Sequence, residues 1–221
     1  LDGVGQTDIV TSSNPYILTV SAGGSYQLTG VTDANCDGTV SGSATVTINE
    51  LPTASISGSN NICAGENTDL TIDLTGTAPW TINYELDGVG QTDIVTSSNP
   101  YILNVSAGGS YQLTGVTDAN CVGTGSGTVN VVVNPLPTAD LSGDATLCLG
   151  ETTDLTINLT GSGPWTISPE LDGGAMANIV TSASPYTWTV GSAGTYTLSA
   201  ISDVNCDGTV SGSATVTINE L

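Results

Sequence analysis

Lysine, arginine and histidine are absent from all 221 residues, against 21 aspartates and glutamates, so the formal net charge at pH 7 is −21. A globular domain usually carries about a quarter charged residues of both signs; here the fraction is 10% and all of it is negative. No side chain can form a salt bridge. Folded stability must therefore come from apolar burial, backbone ladders and covalent or metal cross-links. Nothing neutralises phosphate, which excludes nucleic acid as a partner, and an anionic membrane surface would repel the chain. Divalent cations are the natural counter-charge. Without imidazole, amine or guanidinium, the usual general bases, Schiff-base amines and anion clamps are missing. A carboxylate-pair hydrolase is formally open, but it would need aromatic or basic substrate contacts, and the reading is of a protein that is not an enzyme. No apolar run is long enough to span a bilayer, and no charged leader with an apolar core is present. Leu1 does not look like a natural start, so a leader and any anchor are expected outside these residues.

What is present is a repeat. "LDGVGQTDIVTSSNPYIL" occurs at Leu1 and again, letter for letter, at Leu86, and a diverged copy, "LDGGAMANIVTSASPYTW", begins at Leu171. Both steps are 85 residues, as are those between Leu51, Leu136 and Leu221 in the "NELP", "NPLP" and "NEL" segments. The cysteines keep the same step, with Cys36, Cys121 and Cys206 in one series and Cys63 and Cys148 in the other. The chain therefore divides into the back part of one repeat (1–51) and two whole repeats (52–136 and 137–221). A period this long fits independently folded beads in an array rather than solenoid units. A piece that begins inside a repeat is expected to come from something longer.

Each repeat reads all-β. In the middle one, "TASIS", "DLTIDL", "WTINYEL", "TDIVTS", "YILNVS", "YQLTGV" and "TVNVVV" are short strands separated by turn signals. "DLTIDL" alternates, with Leu70, Ile72 and Leu74 on one face. Seven such strands predict an immunoglobulin-like two-sheet sandwich, repeated in tandem. Trp80 and Trp165 stand on the third strand, where such a sandwich keeps its core tryptophan. Tyr26, Tyr111 and Tyr196 open the sixth after a glycine turn, as a tyrosine-corner residue does. All five are read as core aromatics rather than ligand contacts.

The run C-x-G-E-x-x-x-L-T-x-x-L-T-G (63–76 and 148–161), then P-W-T-I, then T-D-A-N-C-x-G-T and a closing V-T-I-N-x-L-P, resembles a known repeat family. It is similar to the immunoglobulin-like and PKD-like repeats of giant secreted Bacteroidetes proteins, including the SprB-type mobile adhesins of gliding bacteria. The resemblance covers essentially the whole chain. It implies export through the type IX system and display on the cell surface.

The segment "VTDANCDGTV" (31–40) holds the candidate sites. Asp33, Asn35, Asp37 and Gly38 match the opening of a calcium loop, and Asp203, Asn205, Asp207 and Gly208 repeat it. Ala44 and Ala214 stand where the loop would need its bidentate glutamate, and Val122 breaks the middle copy. Asp and Asn beside Gly are also ordinary turn residues. The expectation is no cofactor beyond weak calcium binding to an acidic surface.

The cysteines admit more than one pairing. Secreted β-modules often bridge them. Within one repeat the pairs would be Cys63–Cys121 and Cys148–Cys206. In an immunoglobulin-like strand order, however, Cys63 lies at the far pole of its bead and Cys121 at the near pole, one strand length apart, whereas a disulfide needs Cα atoms within about 7 Å. Stacking beads head to tail instead brings Cys63 against Cys206 across the "NPLP" joint. Cys36, Cys121 and Cys148 would then pair with beads outside these residues. A third scheme, Cys36–Cys63 with Cys121–Cys148, joins poles that this stacking keeps apart. Between-bead and within-bead pairing both stay open on the sequence.

The functional expectation is a stalk or filament of an extracellular cell-surface adhesin, serving attachment or gliding. Its partners would be the neighbouring repeats and, through a distal tip, extracellular surfaces or glycans. The alternatives are a glycan- or protein-binding module and spacer domains of a secreted enzyme. Against the binding module, the end loops are small and polar, and Trp188 is the one aromatic that departs from the repeat. Disulfide mapping separates the pairings. Trypsin has no site to cut, so pepsin or an acid-directed protease is used. A linked Cys63–Cys206 peptide means that beads are chained, and a linked Cys63–Cys121 peptide means that each bead closes on itself.

Overall fold

A computed structural model describes residues 1–58 and 61–219; Leu221, the last of the evenly spaced leucines, lies outside them. In residues 1–51 the strands are β1 (Gly24–Gln27), β2 (Val31–Thr32), β3 (Asp37–Gly38) and β4 (Ser43–Val46). The first whole repeat holds β5 (Thr53–Gly58), β6 (Asn61–Cys63), β7 (Thr68–Leu74), β8 (Trp80–Leu86) and β9 (Val89–Gly90). It continues with β10 (Ile94–Thr96), β11 (Tyr101–Val105), β12 (Gly109–Thr117), β13 (Val122–Ser126) and β14 (Thr128–Asn134). The second repeat reproduces this set ten labels later. It runs β15 (Thr138–Ser142), β16 (Ala145–Cys148), β17 (Thr153–Leu159), β18 (Trp165–Leu171), β19 (Gly174–Ala175) and β20 (Ile179–Thr181). β21 (Tyr186–Val190), β22 (Gly194–Ser202), β23 (Thr209–Gly212) and β24 (Ala214–Asn219) complete it. The fold is all-β, a tandem of immunoglobulin-like sandwiches. The seven runs read from the sequence are ten segments here: the first continues into β6, β13 precedes the last, and β9 is the short return arm of a hairpin on β8.

The second bead shows the two layers plainly. One sheet has the order β21-β17-β15-β23, and the other β16-β24-β22-β18, with β19 and β20 both paired to β18. Its first run crosses from one sheet to the other between β15 and β16, and its last run crosses in step between β23 and β24. The two runs stay parallel in both sheets, pairing Thr138 with Thr209 and Cys148 with Asn219. Gly212 makes the crossing, with φ of +76°, and a Cβ there would drive into the Leu141 carbonyl. Only glycine takes that conformation at no cost in strain. The first bead repeats the design, with Gly127 at φ +92° and parallel pairs Thr53–Thr124 and Cys63–Asn134 placed alike. There β13 also pairs with β12, which joins the two layers into one ladder.

Alternation builds each core. β7 buries Leu70, Ile72 and Leu74 on one face, and β14 buries Val129 and Val131. With Trp80, Ile82, Tyr111, Leu113 and Val116 they form one apolar cluster. A separate cluster around Leu155, Ile157, Trp165, Ile167 and Tyr196 serves the second bead. Each indole also donates to a carbonyl five residues back, Trp80 to Thr75 at 2.9 Å and Trp165 to Thr160 at 2.8 Å. Each core tyrosine donates to a carbonyl four residues back, Tyr111 to Ala107 and Tyr196 to Ser192. Tyr26 does the same to Ala22 in a half-buried setting.

Residues 1–18 and 86–103 have the same sequence and different structures. The second copy forms the end of β8, the β8–β9 hairpin, β10 and the start of β11, whereas the first forms no strand. The difference is non-local. β10 and β11 are held by β8 and β7, and residues 1–51 contain no counterpart of β7 and only the last residue of a β8. Strand pairs need a partner and a buried face to persist, so Val10 and Ile17 are left exposed. Leu113 and its repeat partner Leu28 show the consequence, one 2% exposed and the other 60%. Leu113→Ala is expected to destabilise the first bead by about 2–5 kcal/mol, while Leu28→Ala stays within about 0.5 kcal/mol. Chemical denaturation of the two variants checks both.

Candidate functional site at the joint between beads

The joint is "NPLP", 134–137. On its leading side Asn134 ends β14 and lies opposite Cys63, the last residue of β6. The Ala64 amide donates to the Asn134 carbonyl at 2.8 Å, and the Asn134 side chain donates back to Ile62. Glu66, three residues after Cys63, turns its carboxylate back to accept from the Cys63 amide at 3.0 Å. Glu151 does the same for Cys148 at 2.9 Å.

On the trailing side, the loop between β22 and β23 carries Cys206. Asp203 brackets it. Asp203 Oδ1 accepts from the amides of Asn205 and Cys206, both at 2.8 Å, and Oδ2 accepts from Ser162 in the facing turn, also at 2.8 Å. Thr209 then donates to the Pro137 carbonyl at 3.0 Å, which ties the loop to the joint. Asp118 makes the same three bonds with Asn120, Cys121 and Thr77. Asp33 makes the two local ones, with Asn35 and Cys36. The glycine of the facing turn, Gly76 or Gly161, has φ of +94° or +98° and leaves no room for a side chain beside the aspartate.

The two sides meet in a disulfide. Cys63 bonds Cys206 with Cα atoms 5.8 Å apart, across a sequence separation of 143. Cys63 Sγ lies 3.6 Å from the Asn205 carbonyl, and Cys206 Sγ 4.0 Å from that of Asn134. The bond lines an open cleft of about 700 Å³, floored by Leu136 and edged by Glu66, Asp203 and Asp207.

The within-repeat pairs Cys63–Cys121 and Cys148–Cys206 are not formed. Cys36, Cys121 and Cys148 are free thiols. The strand register gives the reason. Cys63 sits opposite Asn134 at the far end of the last run, while Cys121 precedes its first residue, Val122. That run is twelve residues away end to end, roughly 40 Å at strand rise. The third scheme fails similarly, since Cys121 lies at the near pole of its bead and Cys148 at the far pole of the next.

The Asp33 and Asp203 carboxylates of the calcium motif face backbone amides. Among the described residues no group of three or more Asp, Glu, Cys or His gathers as metal ligands. Asp33, Asp118 and Asp203 spend their oxygens on backbone amides, which makes the segment a turn bracket. Asp37 falls in the two-residue strand β3 and Asp207 makes a lone bridge with Ser202. Trp188 is no exposed platform either. It stacks edge-on against Tyr196 with ring centres 5.2 Å apart, at the margin of the second core. Trp80, Trp165, Tyr111 and Tyr196 are buried.

The sequence reading passed over the two bracketing glutamates, Glu66 and Glu151. Their signal was present in the C-x-G-E motif, where a carboxylate three residues on can reach back to an amide. It also passed over Asp87 and Asp172. Each opens an Asp-Gly hairpin turn with positive φ, 52° and 51°, a signature of such turns. Each is clamped to the start of the long strand opposite, where Ser110 or Thr195 donates to its carboxylate at 2.8 Å.

The fold and the joint define a class, a tandem immunoglobulin-like array. Family comparison refines it. The family model "Nucleoporin POM152, Ig-like domain" matches residues 51–126 and 137–216, more than half of the chain, and the chain belongs to that family. A curated relative, nucleoporin pom152 of Schizosaccharomyces pombe, is 31% identical over an alignment of 170 residues that covers 67% of this chain and 14% of that protein. The chain thus spans about a seventh of the length of the relative. Among solved structures, the titin I-band fragment I67–I69 is 16% identical, with 77% of this chain and 64% of that one covered and a TM-score of 0.49. The four N-terminal Ig domains of Dscam1 isoform 4.44 are 15% identical, with 79% and 47% covered and a TM-score of 0.31.

This finding corrects the functional expectation. The family and the relative are nucleoporins, so the bacterial gliding adhesin, type IX export and extracellular display are withdrawn, together with the adhesive tip and its surface or glycan partners. The motifs behind that resemblance are strand, turn and core features that immunoglobulin-like beads of different origin share.

The turn brackets have a pH signature. The amides of Asn35 and Cys36 hold Asp33 below the usual carboxylate value, and those of Thr77, Asn120 and Cys121 do so for Asp118. Burial pushes Asp203 up, but the amides of Ser162, Cys206 and Asn205 together bring it below. A pKa lowered in the folded state contributes stability above the unfolded value, about 3.9. That contribution is lost as pH falls through the folded value. Asp118→Asn is therefore expected to melt at a lower temperature than the parent at pH 7, with the gap narrowing as the pH falls below about 4. Thermal melts of the pair at several pH values check this.

Proposed function

We propose that the chain is an architectural segment, two immunoglobulin-like beads (52–136 and 137–221) held in series at a fixed angle, with no catalytic role. The observation that carries this is the Cys63–Cys206 bond across the joint. The beads have separate cores. Without the disulfide, Pro135, Leu136 and Pro137 would be the single covalent connection between them. A short linker and a second covalent tie close a small ring in space, and that fixes orientation without a large buried interface. The name of the relative favours a place in a nuclear pore scaffold. A lasting disulfide favours the oxidising, luminal side of that membrane system over the reducing cytosol.

Residual dipolar couplings measured on the whole chain test the architecture. With the disulfide intact, both beads are expected to report one alignment frame. After reduction, or in Cys63→Ser, the frames should diverge while each bead keeps its internal couplings. Two unrelated frames in the oxidised protein would sink the proposal.

A further inference from the structure

The disulfide joins two points that matter mechanically. In the first bead the run from Pro52 to Cys63 goes from the near pole, where Thr53 lies opposite Thr124, to the far pole, where Cys63 lies opposite Asn134. In the second bead, the run that begins at Cys206 starts at the near pole, tied to Pro137. It reaches the far pole where Asn219 lies opposite Cys148. A covalent line therefore passes through both beads: β5, β6, the disulfide, β23 and β24. With a separation of 143 between the cysteines, 142 residues, 64–205, hang outside that line.

We propose that the Cys63–Cys206 bond makes the bead pair an inextensible tether, in which tension travels through two strand runs and one disulfide and bypasses residues 64–205. This rests on the architectural reading above and adds a function to it, transmission of force at constant length. Ordinary beads in series lengthen under load because an unfolding bead releases its whole chain. Here an unfolding bead releases none of the bypassed chain, since both ends of it are fixed at the same disulfide.

The remaining line has little slack. It comprises twelve residues, 52–63, and sixteen, 206–221. Its described strands already rise about 3.3 Å per residue against a limit of about 3.6 Å, a margin of roughly a tenth. At that limit the line measures about 100 Å, whereas residues 52–221 without the bond would reach about 600 Å, a sixfold difference. Each run is pulled from its two opposite ends. Its ladder bonds to neighbours are then loaded in shear together rather than unzipped one by one.

Single-molecule stretching of the whole chain from handles at its two termini tests this. Oxidised protein is expected to straighten residues 1–51 and then show no step longer than about 20 Å, a tenth of the line with allowance for its loop residues. The same protein in a dithiol reductant, which supplies the two electrons and two protons that turn the disulfide into thiols, should show two bead-sized steps. Cys206→Ser should match the reduced protein, and the reduced parent serves where that variant folds poorly. Bead-sized steps in the oxidised protein overturn the proposal, and so does a step of several tens of ångströms from strands peeling off the line. Oxidised beads that share one alignment frame yet lengthen under load sink the tether alone. Beads that tumble independently yet do not lengthen sink the architectural reading alone.

Discussion

A chain without a cationic side chain has only backbone and side-chain amides, hydroxyls and water to meet its carboxylates. That constraint shapes every turn of this molecule. Asp87 and Asp172 clamp the hairpin turns to the strands opposite, Asp118 and Asp203 bracket the cysteine loops, and Glu66 and Glu151 cap the other cysteines. Asp69, Asp154 and Asp140 take donors from Asn104, Thr189 and Ser211 on neighbouring strands. No buried polar side-chain atom among the described residues lacks a partner. A hydrogen bond to a charged acceptor contributes more than one between neutral groups, so the acids do locally what salt bridges do elsewhere.

Those brackets also position the joint. The Asp203 loop holds the Cys206 backbone beside Pro137, and the Glu66 turn holds Cys63 beside Asn134. The parallel crossing of first and last runs puts one cysteine of each bead at each pole. None of these features needs the disulfide, because Cys121 and Cys148 keep the same local bonds as free thiols. The disulfide therefore forms between sites already shaped, so that little is spent on ordering them, which is the general advantage of preorganisation.

The strand runs, the core tryptophans and the two poles were legible in the sequence, because alternation and turn chemistry are local signals. The split of the end runs was not. It depends on glycines such as Gly127 and Gly212, which mark a crossing only once the opposing strand is known. Residues 1–18 mark the limit more sharply, since eighteen letters that form strands at 86–103 form none at the start of the chain. Local brackets survive in residues 1–51, with Ser25 donating to Asp2 and Cys36 to Asp33, and so do the short β1–β4 and β2–β3 ladders. The candidate site was half legible. Topology brought Cys63 and Cys206 to one joint, whereas the bracketing role of Asp118 and Asp203 shows only once the amides they face are placed. Family membership was not legible from these motifs, because core and turn residues report the fold and not the organism that uses it.

Charge and covalent bond act on the joint in opposite senses. All side-chain charge is negative, so the beads repel wherever they approach within about a Debye length, roughly 10 Å in ordinary salt. Repulsion of this kind opposes folding of one bead onto the other, and with no cations available nothing pulls them into a side-by-side contact. Left alone, that would favour separation along a linker of two prolines and a leucine. The disulfide fixes the nearest approach at one edge of the joint, where Glu66, Asp203 and Asp207 line the same cleft. The one disulfide between the beads acts against that repulsion.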